Sequence, residues 1–125
     1  MPTLLLTLTT PERRAVWRAL LLLLLGAITW LATTPLPPRS ADLGWDKANH
    51  LIAFASLAFG GVWAFARQPR QWPMLVLALL FYGVGIEITQ SFLPPREADW
   101  HDVVADGLGI ALGLLTAWPI ARLHQ

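Results

Sequence analysis

The chain has 125 residues, of which 55% are hydrophobic and only 14% charged, with a net charge of +1. Soluble domains carry about 25% charged residues, so this composition excludes an ordinary soluble domain and fits a membrane protein. The absence of cysteine excludes disulfides and thiolate metal sites, and so small a net charge gives no basic field for nucleic acid.

A spanning helix needs roughly 20 mostly apolar residues. Four segments meet that need in chain order: 15–32, interrupted only by Arg18; 49–66; 72–93, carrying Glu87; and 102–121, carrying Asp106. The segments between them, TTPLPPRSADLG, RQPRQ and PPREAD, are short and contain proline, which cannot continue a preceding helix. The expectation is an all-α integral membrane four-helix bundle with short loops, a single domain over 1–125.

Tryptophan supports the same division. Trp17, Trp30, Trp45, Trp63, Trp72, Trp100 and Trp118 fall close to seven of the eight expected helix ends. Indole favours the membrane interface because its ring is apolar while its N–H seeks water. Lysine and arginine then set the orientation. Arg13, Arg14, Arg18, Arg67, Arg70 and Arg122 lie on the side of the N-terminus, against Arg39, Lys47 and Arg96 on the other. The six-to-three excess places both termini in the cytoplasm. The run PERRAVWRALLLLLLGAITWLATTP also has the basic-then-apolar order of a secretory signal. A bulky Trp30 three residues before a cut after Ala32 argues for a retained span instead.

With this topology the polar residues gather on the outer side. Asp46, Lys47 and His50 lie at the outer start of the second span, and Asp46 and His50 are four apart on one helix face. Glu87 and Gln90 share a face near the end of the third. Glu87 lies roughly 9 Å below the outer edge if that span runs to Leu93, at ~1.5 Å per residue. Asp99, Asp102 and Asp106 follow an i, i+3, i+7 spacing on the fourth, and Arg96 belongs to the loop before it. A charge at a helix centre costs about 2.5–3.5 kcal/mol on insertion scales, and intramembrane ionisable groups usually mark sites or pathways. The bland reading is that they pair and pin the helices together. Asp42, Glu97 and Arg39 read as solvated loop charges, and His101 and His124 lie outside the set, although His101 is close to it. Gly107, Gly109 and Gly113 form a small-residue stripe for close helix packing, expected between the third and fourth spans with help from Gly83 and Gly85.

The order D-K-x-x-H at 46–50, E-x-x-Q at 87–90 and R-x-x-D-x-x-D at 96–102, followed by a glycine-rich last helix, resembles the VanZ-like family of small membrane proteins. The likeness covers roughly 45–113. One departure is Asp106, where the family's D-x-x-x-N-x-x-G pattern usually has asparagine. The family takes its name from a teicoplanin-resistance protein. The resemblance therefore implies the bacterial inner (cytoplasmic) membrane, the cell envelope and a connection with glycopeptide resistance, but no named reaction.

Two functions compete. In the first, Lys47, Arg96 and His50 receive an anionic envelope lipid or lipid-linked cell-wall precursor, with Gln90, Asp46, Asp99 and Asp106 lining the site. Glu87, Asp102 and His50 then supply acid–base catalysis. In the second, the same residues bind or sequester without breaking a bond, or merely clamp the helices. Glu87, Asp99, Asp102, Asp106 and His50 offer ligands for a divalent cation, but their spacing matches no metal signature, so no metal or cofactor is assigned. A channel is disfavoured because four short helices with polar groups only in the outer half offer no continuous path, unless copies assemble as a homo-oligomer.

Overall fold

The computed structural model describes residues 2–34, 46–94 and 98–124. Five helices occur in it: α1 (Pro2–Leu8), α2 (Arg14–Thr33), α3 (Asp46–Ala64), α4 (Trp72–Gln90) and α5 (Trp100–Leu123). No strand occurs among the described residues. The four long helices correspond to the four expected spans. The short α1 was not expected, and the 3-10 turns Pro11–Arg13 and Pro69–Gln71 lead into α2 and α4.

Among the described residues, three stretches are long and apolar enough to cross a membrane: Pro11–Thr33, Pro69–Gln90 and Trp100–Leu123. The expected second span, α3, is not among them. Its sequence DKANHLIAFASLAFGGVWA is less oily because it has little need to face lipid. Phe54, Leu57, Ala58, Val62, Trp63 and Ala64 are at most 1% exposed, and α3 packs against α2, α4 and α5. A central helix is covered by its neighbours, whereas the outer helices turn Leu22, Leu23, Met74, Phe81 and Leu115 outward with at least 66% exposure. Such an oily exterior suits a bilayer as solvent and would aggregate in water.

Side-chain contacts fix the helix directions. At one end Arg18 Nε donates to the Ala64 carbonyl at 2.9 Å, Trp72 Nε1 to the Ala66 carbonyl at 3.0 Å, and Thr9 meets His124 at 2.7 Å. The start of α2, the end of α3, the start of α4 and the end of α5 therefore lie together. At the other end Gln90 Nε2 donates to the Ala32 carbonyl at 2.9 Å, joining the ends of α4 and α2. Consecutive long helices thus alternate in direction.

The glycine stripe packs differently from expectation. A Cβ on Gly109 would run into the Leu51 carbonyl oxygen, and one on Gly113 into that of Ala55. These glycines therefore bring α5 against α3, not α4, while Gly107 and Gly85 face open space. Tryptophan also divides. Trp30, Trp100 and Trp118 are exposed near helix ends as an interfacial belt requires, but Trp63 is wholly buried. Trp45 lies outside the described residues.

Candidate functional site

The site forms where the start of α3, the end of α4 and the start of α5 meet. Asp99 is the N-cap of α5, and its side chain accepts from the His101 N–H at 2.9 Å, a role that suits aspartate at this position. Helix α4 stops at Gln90, three residues short of the expected Leu93, because two prolines follow closely. Glu87 therefore sits in the last turn of α4, shallower than the sequence suggested.

Four carboxylates converge on Lys47 and His50. Lys47 Nζ donates to Asp99 Oδ2 at 2.9 Å and to Asp102 Oδ1 at 3.0 Å. His50 Nδ1 lies 2.7 Å from Asp106 Oδ1, and its Nε2 faces Glu87 Oε1 and Asp102 Oδ2, each at 3.6 Å. Glu87 Oε2 accepts from the Asp99 backbone N–H at 2.9 Å. His50, Glu87, Asp102 and Asp106 are all at least nine-tenths buried, whereas the side chains of Lys47 and Asp99 retain 30% and 41% exposure. The cluster is thus open on the Lys47–Asp99 side, where His101 also pairs with Asp99 at 2.7 Å and stacks on the exposed Trp100. At this rim, outside the proposed spans, Asp99 first and then Asp102 push the Lys47 ammonium above the usual lysine range. Lys47, then His101, holds the Asp99 carboxyl well below the usual carboxylate range.

Of the residues singled out from sequence, Lys47, His50, Glu87, Asp99, Asp102 and Asp106 are brought together. Gln90 is buried beside them but spends its amide on the Ala32 carbonyl. Arg96 lies outside the described residues, as does the side chain of Asp46. Gly83, expected from sequence as a packing glycine between the third and fourth spans, has a more specific place: its absent Cβ leaves room for Asp106 Oδ2, 2.5 Å from where that Cβ would stand. The signal was present: Gly83 precedes Glu87 by four residues on the same face of α4.

Among the described residues, two buried carboxylate oxygens, Glu87 Oε1 and Asp106 Oδ2, have no hydrogen-bond partner. A separation of 3.6 Å is too long for a hydrogen bond, so Nε2, Glu87 Oε1 and Asp102 Oδ2 face one another, all within 4.8 Å, without being bonded to each other. Atoms of this kind can exchange protons with a ligand or share a cation.

The opposite end is chemically different. There Arg14, Arg18, Arg67 and Arg70 line, with His124, a cavity of about 610 Å³. One end of the bundle is acidic and histidine-bearing, the other rich in arginine.

An apolar helical exterior around a buried polar cluster defines a membrane-type helical protein with a site at one end. More particularly, the chain belongs to the VanZ/LLP1 family, which it matches over residues 19–122. It is also similar to an uncharacterized protein of Schizosaccharomyces pombe, 33% identical over 99 residues, which are 78% of this chain and 59% of that relative. The chain thus spans well under two thirds of the relative's length. No solved structure matches it.

Proposed function

We propose that this chain is a multi-pass protein of the bacterial inner membrane that binds and modifies an anionic envelope lipid through the outward-facing cluster around His50. The observation that carries the reading is the burial of His50, Glu87, Asp102 and Asp106 at one end of an otherwise apolar bundle. Each of these carboxylates reaches Lys47 or His50, yet Glu87 Oε1 and Asp106 Oδ2 have no hydrogen-bond partner among the described residues, which a clamp alone would be expected to provide. Leaving buried polar atoms unpaired costs stability, so their retention favours a ligand-facing role.

The head group approaches from the open Lys47–Asp99 side, where Trp100 is exposed, as suits a residue at a membrane interface. His50, held by Asp106, and the carboxylates of Glu87 and Asp102 form the reactive face, while Arg96, six residues before Asp102 in the sequence, is the residue whose planar donor fork suits phosphate. A related chain in a eukaryote favours head-group chemistry common to both kinds of cell, the phosphate ester of a membrane lipid, over a glycopeptide target. A lipid-linked cell-wall precursor carries the same phosphate chemistry and is the narrower bacterial version of this ligand.

Native mass spectrometry of the detergent-purified protein tests the reading. Wild type is expected to retain an anionic lipid that Arg96→Ala loses, and Glu87→Gln to fail to convert that lipid. Equal lipid retention by wild type and Arg96→Ala would overturn it. Gln90 has a specific structural role instead, since its amide ties α4 to α2. Gln90→Ala is expected to lower the melting temperature, consistent with the ~1 kcal/mol typical of one such bond, without changing lipid retention.

A further inference from the structure

We infer that His50 Nε2, Glu87 Oε1 and Asp102 Oδ2 form a binding site for a divalent transition cation with a taste for nitrogen and oxygen ligands, Zn²⁺ in kind. The inference deepens the lipid reading by giving that site its missing positive charge.

The first support is geometric. These three residues present ligand atoms that all lie within 4.8 Å of one another. Nε2 stands 3.6 Å from each of the two oxygens. Metal–ligand arms of ~2.1 Å in tetrahedral array would set ligand atoms ~3.4 Å apart. The observed spacing is thus too wide for hydrogen bonds and close to what one shared cation imposes.

The second support is independent of spacing. Glu87 Oε1 belongs to a side chain that is 8% exposed, has no hydrogen-bond partner, and points at His50 Nε2. The third is the outer layer. The remaining polar atom of each ligand is already held: His50 Nδ1 by Asp106, Glu87 Oε2 by the Asp99 N–H, and Asp102 Oδ1 by Lys47. Metal ligands characteristically have their far atoms fixed in this way, which sets the imidazole tautomer and aims the opposite atoms inward. With three protein ligands, a fourth position stays open for water or for a phosphate oxygen.

Charge completes the case. Four acids, Glu87, Asp99, Asp102 and Asp106, face the lysine and the histidine described above. An anionic head group would meet net negative charge there unless a cation stood between. One imidazole with two carboxylates suits Zn²⁺ better than the all-oxygen sets preferred by Mg²⁺ and Ca²⁺.

The test uses the full chain in detergent, freed of metal by chelation and titrated with Zn²⁺ alone, without lipid. Calorimetry and elemental analysis are expected to give one saturable Zn²⁺ per chain. His50→Ala and Glu87→Gln should each weaken binding at least tenfold, while His101→Ala, on the exposed rim, leaves it intact. Co²⁺ in place of Zn²⁺ gives a folding-independent check, since its visible spectrum should change in Glu87→Gln, a substitution that preserves shape. No saturable Zn²⁺ in wild type, or equal affinity in all variants, would overturn the metal site. Loss of Zn²⁺ binding with lipid retention kept would remove the cation alone, whereas Zn²⁺ bound by a protein that ignores anionic lipid would remove the lipid reading alone.

Discussion

At position 106 the structure shows what a carboxylate is used for and what an amide could keep. Asp106 uses Oδ1 towards His50 Nδ1, and an asparagine carbonyl can accept from the same N–H. Asp106→Asn is therefore expected to keep the imidazole oriented but weaken metal affinity by roughly 10–100-fold, as loss of a carboxylate behind a histidine ligand does. Asp106→Leu should abolish binding, and equal affinity in the two variants would remove Asp106 as a positioning residue. The rim pair has its own signature in pH. Asp99 is depressed on folding, so its stabilisation is present above the ordinary carboxylate value and drains as pH falls through its lower folded value. Lys47 is raised, so its contribution is present below the ordinary lysine value and fades only as pH climbs through the folded one. The melting-temperature gap between wild type and Asp99→Asn should then stay constant across neutral pH and close below about pH 4. A gap that persisted in strong acid would place the effect elsewhere.

Among elements, the contact between α5 and α3 depends on two absent side chains. Gly109→Ala would push a methyl group into the Leu51 carbonyl and is expected to cost about 1–3 kcal/mol, as overpacking usually does. Gly107→Ala meets nothing and replaces a poor helix former, so it should be neutral or stabilising by up to ~1 kcal/mol. Thermal melts in detergent separate the two, and similar loss in both would show that the stripe acts through flexibility, not close approach. The stripe was visible in the sequence, but its partner was not. Glycine spacing marks a face without saying which neighbour lies on it. Likewise α3 was legible as a helix, whereas its central position emerges only from packing that relieves it of contact with lipid.

For the whole molecule, periodicity, proline and tryptophan were enough to divide the chain into its long helices, and i, i+3, i+7 spacing was enough to put Asp99, Asp102 and Asp106 on one face. What spacing could not reveal is that single side chains from α3, α4 and α5 bring their polar atoms within 4.8 Å of one another. Residues 37 and 15 positions apart, as His50, Glu87 and Asp102 are, form no local signature. The two unlike ends also predict orientation. The arginine end should face the cytoplasm and the His50 end the outside. Because the chain has no cysteine, single His101→Cys and Arg70→Cys variants can report this directly. A membrane-impermeant maleimide added to intact cells should label the first and not the second, and the reverse pattern would invert the topology.

The most direct measurement is the melting temperature of wild type and Glu87→Gln with and without an anionic lipid. If the cluster is a site, Glu87→Gln should match or exceed wild type without lipid, because one of several crowded acids becomes neutral while its shape and the Oε2 contact to the Asp99 N–H can be kept. It should also show a smaller lipid-induced rise than wild type, since a contact of the site has changed. A variant that melts well below wild type yet keeps the full lipid-induced rise would show that Glu87 clamps helices and serves no ligand.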